Sequence, residues 1–406
     1  MLKRLLPLGF AAVYAALPLY PAFIALTSVA YPGIAVVPQP VVFAAIALVV
    51  LLIAYAIVLF VRFGLGAQPL LVPMLAAFGA ALLASFLGFD PLRGLLFVGL
   101  FGSTIVWHCV NVRFYRERGV PEGIFWGYLI SAALAAAAAI AMVVTREPAN
   151  LYALQHGRAT GTFVLPGELA AYLVAVLPVG YAVARVAQPL ALRAAAWVAV
   201  VVGIVALVMT FSRAGWMGAT AAAAFMIAAQ PRARRYGRVV ATVSIAVGVL
   251  AVVALFNSHH DPSEDYTRLA IWQAALQIVN CFPLTGVGPF DFPLLYARVH
   301  VPDADATAFH AHSLYLTFFA EGGVLLLATF GWIAWRFAAA LRARLAHATP
   351  ADALLALGAT AGLVGIAVQG LIDTMSIAIF GLLLPAMGLA LAAARPIEPA
   401  ADCRLP

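Results

Sequence analysis

The sequence predicts an all-α polytopic membrane protein of about twelve transmembrane helices, with a long loop containing short amphipathic helices between the ninth and tenth. Three observations predict it. Of the 406 residues, 65% are hydrophobic and only 10% are charged, where a soluble domain carries about 25% charged residues. Apolar runs long enough to cross a bilayer, about 20 residues each, follow one another along the chain. These runs, of which 41–60 is typical, do not alternate apolar with polar residues as the strands of a membrane barrel do.

Taken in order, the apolar windows place spans near 5–29, 40–61, 68–89, 94–112, 124–144, 167–184, 194–211, 214–230, 239–257, 314–335, 353–372 and 376–394. The first is too long for a cleaved signal peptide and is interrupted by Pro7, Pro18 and Pro21; no clear small-x-small cleavage site stands out, so it reads as a retained span. Two pairs of spans are joined so closely that they read as hairpins, one turning at Ser212-Arg213 and one near Asp373-Thr374. The alanine-rich stretch 132–141 permits close helix packing. There is no convincing internal repeat and no low-complexity linker, so residues 1–406 read as a single integral membrane domain that includes the loop 257–311.

That loop is the one extended stretch not built to sit in lipid. Leu269, Trp272, Ala275, Leu276 and Val279 recur at helical spacing and predict a helix over 266–279. Pro283 stops it. Gly286-Val-Gly288-Pro289 reads as a turn, and 290–299 as a second short amphipathic piece on the membrane surface. A shorter polar loop covers 145–166.

The basic residues orient these spans. With the N-terminus inside, Lys3, Arg4, Arg62, Arg113, Arg116, Arg118, Arg185, Arg193, Arg232, Arg234, Arg235, Arg238, Arg336, Arg342, Arg344, Arg395 and Arg404 fall on the inner side. Arg93, Arg146, Arg158, Arg213, Arg268 and Arg298 fall outside, a division of 17 against 6. The positive-inside rule then puts both termini in the cytoplasm. The net charge of +7 follows from this topology and does not point to nucleic acid. Of the three cysteines, Cys109, Cys281 and Cys403, only Cys281 lies outside, so no disulfide framework is expected.

The outer face carries the candidate chemistry. Arginine at membrane depth costs roughly 2.5–3.5 kcal/mol, so it usually faces a cavity or a partner. Arg213 sits in a hairpin turn, and Arg158 and Arg268 each lie one short step from a span. Their planar forks suit phosphate oxygens, and three converging outside the bilayer would suit a lipid diphosphate. The alternative is that each snorkels to headgroups or caps a helix end. His312, followed by Ser313, begins a span on the same side and is either a neutral base for a hydroxyl or a helix-capping residue. His310 reads as its neighbour more than as a second base. Glu168 and Glu321 are carboxylates inside spans, functional candidates or ion-pair partners of an outer arginine. Asp373 in its turn reads as a helix cap. Neither His259-His260-Asp261 nor Asp303-Ala-Asp305 has strong metal-ligand spacing, and no metal site is assigned. Gly286-x-Gly288 is no nucleotide loop, because no strand precedes it and no GK[ST] follows. His108 and His347 read as structural.

Four of these polar stretches together resemble the O-antigen ligase and polymerase superfamily of bacterial envelopes. Arg158-Ala-Thr-Gly161-Thr-Phe163-x-x-Pro166 is similar to the family's loop before a span. Thr210-Phe-Ser212-Arg213-Ala-Gly215 is similar to its turn. Arg268-Leu-Ala-Ile-Trp272, followed by Pro283-Leu-Thr-Gly286-Val-Gly288-Pro289, resembles its loop segment. His312-Ser313, with Gly322-Gly323 after it, resembles the ligases' histidine signature. One departure is visible: where the family often has Asn after the loop proline, this chain has Gly167-Glu168.

The resemblance implies a metal-independent, inverting glycosyltransferase of the bacterial inner membrane with its active site facing the periplasm. It would move O-antigen polysaccharide from undecaprenyl diphosphate to a sugar hydroxyl of lipid A-core, with no ATP or other cofactor, in contact with membrane lipids and not with nucleic acid. His312, Arg268 and Arg213 would be catalytic. Arg158, Arg213, Arg268, Ser313, His310 and Glu168 would bind substrate. Relatives of the same superfamily include O-antigen polymerases, which often lack a His-Ser pair here, and protein O-oligosaccharyltransferases, which often carry an added soluble region. A lipid-glycan flippase or transporter is the alternative from another class, but it would put charged groups near mid-membrane and show related halves; here the polar residues gather at one face.

Overall fold

The computed structural model describes residues 2–19, 39–229, 262–300, 308–376 and 378–394, and every regular element among them is helical. In chain order these are α1 Leu2–Ala16, α2 Gln39–Phe63, α3 Leu71–Leu87, α4 Pro91–Phe114, α5 Val120–Thr145, α6 Ala149–Leu154 and α7 Pro166–Val186. There follow α8 Leu190–Met209, α9 Arg213–Ala228, α10 Pro262–Cys281, α11 Phe292–Val299, α12 Leu314–Leu345, α13 Pro350–Gln369 and α14 Leu383–Ala393. A π-helical turn, Ala378–Leu382, leads into α14.

Among the described residues six helices are long and apolar enough to cross a membrane: α4, α5, α7, α8, α12 and α13. Shorter apolar helices, including α3 and α14, pack among them. The expected polytopic helical class is therefore present. The ninth expected span, 239–257, lies outside the described residues, as do His259, His260, Asp261, Asp303 and Asp305. In the loop, α10 begins earlier and ends later than the periodicity indicates, stopping at Cys281 two residues before Pro283. The short helix α11 forms where expected, and its Phe292 and Tyr296 are buried against α10 and α12.

Small residues set the packing at the centre. A Cβ on Gly218 of α9 would lie 2.7 Å from the Gly365 carbonyl oxygen of α13, and one on Gly362 of α13 would lie 2.5 Å from the Ala175 carbonyl oxygen of α7. Glycine lets three backbones approach to a distance at which dispersion and weak C–H···O contacts replace the missing side chains. This packing also separates the first expected hairpin. The Ser212-Arg213 turn is tight, but α9 leaves α8 and packs on α13 and α7 instead. The second turn, at Asp373-Thr374, does join two helices, α13 and α14, that pack together.

The bundle has two chemically different ends. At one end, Arg113 donates to the carbonyls of Phe63 and Gly64 at 3.1 and 3.4 Å. Arg116 donates to Ala393 O at 3.0 Å and pairs with Asp352 at 3.4 Å, and Arg344 donates to Leu391 O. These arginines satisfy carbonyls that helix ends leave open. The opposite end holds Arg158, Arg213, His312 and Asp373, together with the Asp90–Arg93 pair at 3.2 Å. Arg113, Arg116 and Arg344, expected on the inner side, thus sit at the other end of the bundle from Arg93, Arg158 and Arg213.

Candidate functional site

The site is built on the entry into α12. Ser313, in extended backbone, caps that helix: its hydroxyl oxygen accepts the Leu316 N–H at 3.5 Å and donates to Gly370 O at 3.4 Å. The Leu314 N–H is shared between Gly370 O at 2.8 Å and Asp373 O at 3.0 Å. The Ala311 N–H donates to the Thr317 hydroxyl at 3.2 Å, which in turn pairs with the Thr374 hydroxyl at 2.9 Å. Polar groups thus tie the 311–317 turn to the 370–374 turn between α13 and α14.

His312 sits in this frame at φ 45°, in the left-handed region that side chains other than Gly, Asn and Asp rarely adopt. Its N–H donates to His310 Nδ1 at 3.2 Å, and the two imidazole rings lie 4.5 Å apart at 69°. Burial, then the neighbouring His310 and Arg268, holds His312 well below the ordinary imidazole range. Burial pushes His310 down to about 4. Both rings are therefore neutral at neutral pH, the state a proton acceptor needs.

Two arginine motifs meet at the C-terminal end of α8. Arg158 donates from Nε to Thr210 O at 3.1 Å and from Nη2 to Phe211 O at 3.4 Å, and the Ala159 N–H donates to Met209 O at 3.0 Å. The loop thereby closes the C-terminal end of α8, as the helix-capping alternative expects. Phe211 turns the chain at φ 47°. Ser212 then caps α9, its hydroxyl accepting the Gly215 N–H at 3.1 Å, and Arg213 opens that helix. Arg158 thus braces the turn that presents Arg213.

Arg268, half-buried on α10, brings the third cation. Its charge reaches both His312 and Asp373. Asp373 was readable in the sequence only as a cap. Its Oδ1 does accept the Thr374 N–H at 2.9 Å, but the charges of Arg268 and Arg158 also act on its carboxyl. Burial pushes Asp373 up to about 6 against the opposing pull of the two arginines. Gly167 makes room for it, since a Cβ there would lie 2.2 Å from Asp373 Oδ2. Gln369 Nε2 closes the same corner by donating to Gly167 O at 2.9 Å. The signal that could have raised Asp373 above a cap is its type: an ionisable residue at the end of a membrane span.

Other expected residues receive structural tasks. Ser313 is buried, with its hydroxyl committed to the cap and to Gly370. Glu168, in the first turn of α7, is buried and its Oε1 accepts the Ser376 N–H at 2.6 Å and the Ser376 hydroxyl. It thereby anchors the chain just after Asp373. Glu321 accepts backbone N–H groups from Phe290 and Phe292, where the sequence left a functional carboxylate or an ion pair with an outer arginine open.

The Gly286-x-Gly288 segment crosses α12 at a break in that helix. Gly323 lies at φ 63° and ψ −169°, and a Cβ there would meet the Leu284 carbonyl carbon at 2.2 Å. A Cβ on Gly286 (φ 67°) would meet the Glu321 carbonyl carbon at 2.3 Å. The loop fills the hydrogen bonds that the break opens: Val324 N–H to Pro283 O at 2.9 Å, Val287 N–H to Ala320 O at 3.0 Å and Gly288 N–H to Glu321 O at 3.0 Å. Since this segment directly follows α10, the crossing fixes the helix that carries Arg268. Among the described residues no group of three or more His, Cys, Asp or Glu side chains is arranged to hold a metal ion.

Residues 198–331, about a third of the chain, match the family described as O-Antigen ligase. The matched segment takes in the Arg213 turn, Arg268, the glycine crossing and the His312 turn; the Arg158 loop precedes it. No curated protein matches the chain.

Proposed function

The match over residues 198–331 supports membership of the O-antigen ligase superfamily, and from that premise we propose that the protein is an O-antigen ligase. It transfers polysaccharide from undecaprenyl diphosphate to a sugar hydroxyl of lipid A-core at the periplasmic face of the inner membrane, with both termini in the cytoplasm. The observation that carries this reading is the meeting of the Arg158–Arg213 turn, Arg268 and His312 around Asp373 at the arginine-poor end of the bundle.

The chemistry such a site performs is a displacement at the anomeric carbon of the donor. The carbon–oxygen bond to the diphosphate breaks and its electron pair leaves with the phosphate oxygen. The acceptor hydroxyl attacks from the opposite face, which inverts the configuration, and its proton passes to the neutral ring of His312. Negative charge grows on the leaving diphosphate, and Arg268 and Arg213 stabilise it from a fixed arrangement. Arg158 acts through the turn it braces. The diphosphate is already an activated leaving group, so no nucleotide enters the reaction. Asp373 balances Arg268 and Arg158 when no donor is present, and its easily protonated carboxyl yields as the diphosphate arrives. Ser313 and Glu168 serve as supports of the His312 turn and of the Asp373 turn.

Deleting the gene in a host that makes smooth lipopolysaccharide tests this. Bare core together with accumulated undecaprenyl-linked polymer supports ligase. Core capped by a single repeat would assign the protein as a polymerase. An unchanged ladder would remove both and point to protein glycosylation or transport.

A further inference from the structure

The two imidazoles at the entry to α12 differ in what holds them. His312 lies within reach of the charge of Arg268. His310 has its Nδ1 already occupied, because that atom accepts the His312 backbone N–H at 3.2 Å. The ring therefore closes a small loop onto the residue two ahead, the same closure an Asx-turn makes with an Asn or Asp oxygen. The residue it holds is the one forced to φ 45°. The flanking backbone is also tied: the Ala311 N–H by Thr317, and the Leu314 N–H by Gly370 and Asp373. Of the N–H groups from Ala311 to Leu314, that of His312 is held by a histidine side chain.

We infer that His310 is a positioning residue, which fixes the left-handed backbone of His312 through Nδ1 and so aims its ring at the acceptor hydroxyl. This rests on the reading of His312 as the base, and it gives His310 a role other than the substrate contact expected of it. The arrangement requires Nδ1 of His310 to stay unprotonated, since a protonated nitrogen cannot accept; its depressed pKa keeps it so. It also requires that the charged groups around His312 tolerate a neutral pair. Those groups are Arg268 from α10, and beyond it Asp373 from the turn after α13 and Arg158 from the loop before α7.

The test separates the two nitrogens of His310. In His310→Asn the amide oxygen takes the place of Nδ1 and can rebuild the turn. In His310→Gln it reaches to the place of Nε2 and cannot. Transfer is measured in purified protein with undecaprenyl-linked polymer and rough lipopolysaccharide extracted from the deletion host, over a pH series. Positioning through Nδ1 predicts that His310→Asn transfers within about threefold of the parent. His310→Gln and His310→Ala fall about 100-fold, as expected when a reacting group is displaced by about 1 Å. In all three variants the acid limb moves to higher pH, because each removes the imidazole charge that helps hold His312 down. Comparable loss in Asn and Gln, or rescue by Gln alone, would assign His310 to substrate contact and overturn the proposal. Parental rates and an unchanged pH profile in His310→Gln would overturn it as well. His312→Ala, run alongside, reports on the base itself: activity there removes the underlying reading, whatever His310 does. If His310→Ala fails to accumulate, the Asn and Gln pair still decides.

Discussion

Arginines occupy both ends of this bundle, and the two sets are held differently. At one end Arg113, Arg116 and Arg344 each reach a neighbouring helix and donate to its terminal carbonyls, and Arg116 also pairs with Asp352. At the other end the charge of Arg268 acts on a half-buried imidazole, His312, and a half-buried carboxyl, Asp373. Arg158 belongs partly to each set, since it closes α8 as the first group closes its helices and also faces Asp373. The same side chain therefore serves as a staple where its fork meets open carbonyls and as a charge source where its fork meets groups that titrate. Holding a carboxyl and two histidines half-buried near cations is costly, and such costs concentrate at functional sites.

This comparison can be broken in order of expected effect. His312→Ala should abolish transfer in cells and in purified protein, while the variant accumulates and melts in detergent like the parent; near-normal transfer by a well-expressed variant would take His312 out of the mechanism. Arg268→Ala should lower the transfer rate about 10²- to 10³-fold, the usual loss when one preorganised donor to developing charge is removed. Arg158→Ala should cost less, about tenfold, because it acts through the Arg213 turn; a loss equal to that of Arg268→Ala would place its guanidinium on the donor instead. Arg113→Ala should leave transfer within about twofold and lower stability by roughly 1 kcal/mol, read as a drop in melting temperature in detergent. If Arg113→Ala abolished transfer in folded protein, the division between the two ends would fail.

The pH dependence sharpens the same contrast. A base works when unprotonated, and His312 is held well below the ordinary imidazole value of 6.5. The transfer rate should therefore stay level as pH falls through 6.5 and decline only further into acid, measured with the same extracted substrates. A decline centred near 6.5 would mean that His312 is solvated and not packed as described. Gly323→Ala tests the crossing that fixes α10. The added Cβ meets backbone at 2.2 Å, and a strained φ of this kind costs about 1–3 kcal/mol, so the variant should melt lower and accumulate less before any effect on chemistry is read.

The helices and their approximate ends were legible in the sequence because hydropathy and proline placement are local signals. Pro283 set where α10 must stop and the apolar stripe set its existence, although the helix runs past the stripe at both ends. The three arginines and His312 were legible too, since charge beside a span has few uses. Glu321 and Glu168 were less so. Both are buried carboxylates, and which partner satisfies them, an arginine, a backbone amide or a serine, depends on which loop passes over them. The separation of α9 from α8 was likewise hidden, because a tight turn fixes only where two helices begin, not whether they stay together.

The class, a helical membrane bundle, and the residues able to carry charge or a proton at one end of it can be read from the chain alone. Composition, apolar run length and residue type decide these matters, and none depends on distant contacts. Only the tertiary structure decided that Asp373 stands among the arginines, that Gly286 and Gly323 let a loop cross a broken helix, and that His310 holds the backbone of His312. Each of these joins groups through backbone geometry, and no pattern of side chains along the chain encodes where a carbonyl or an N–H will point.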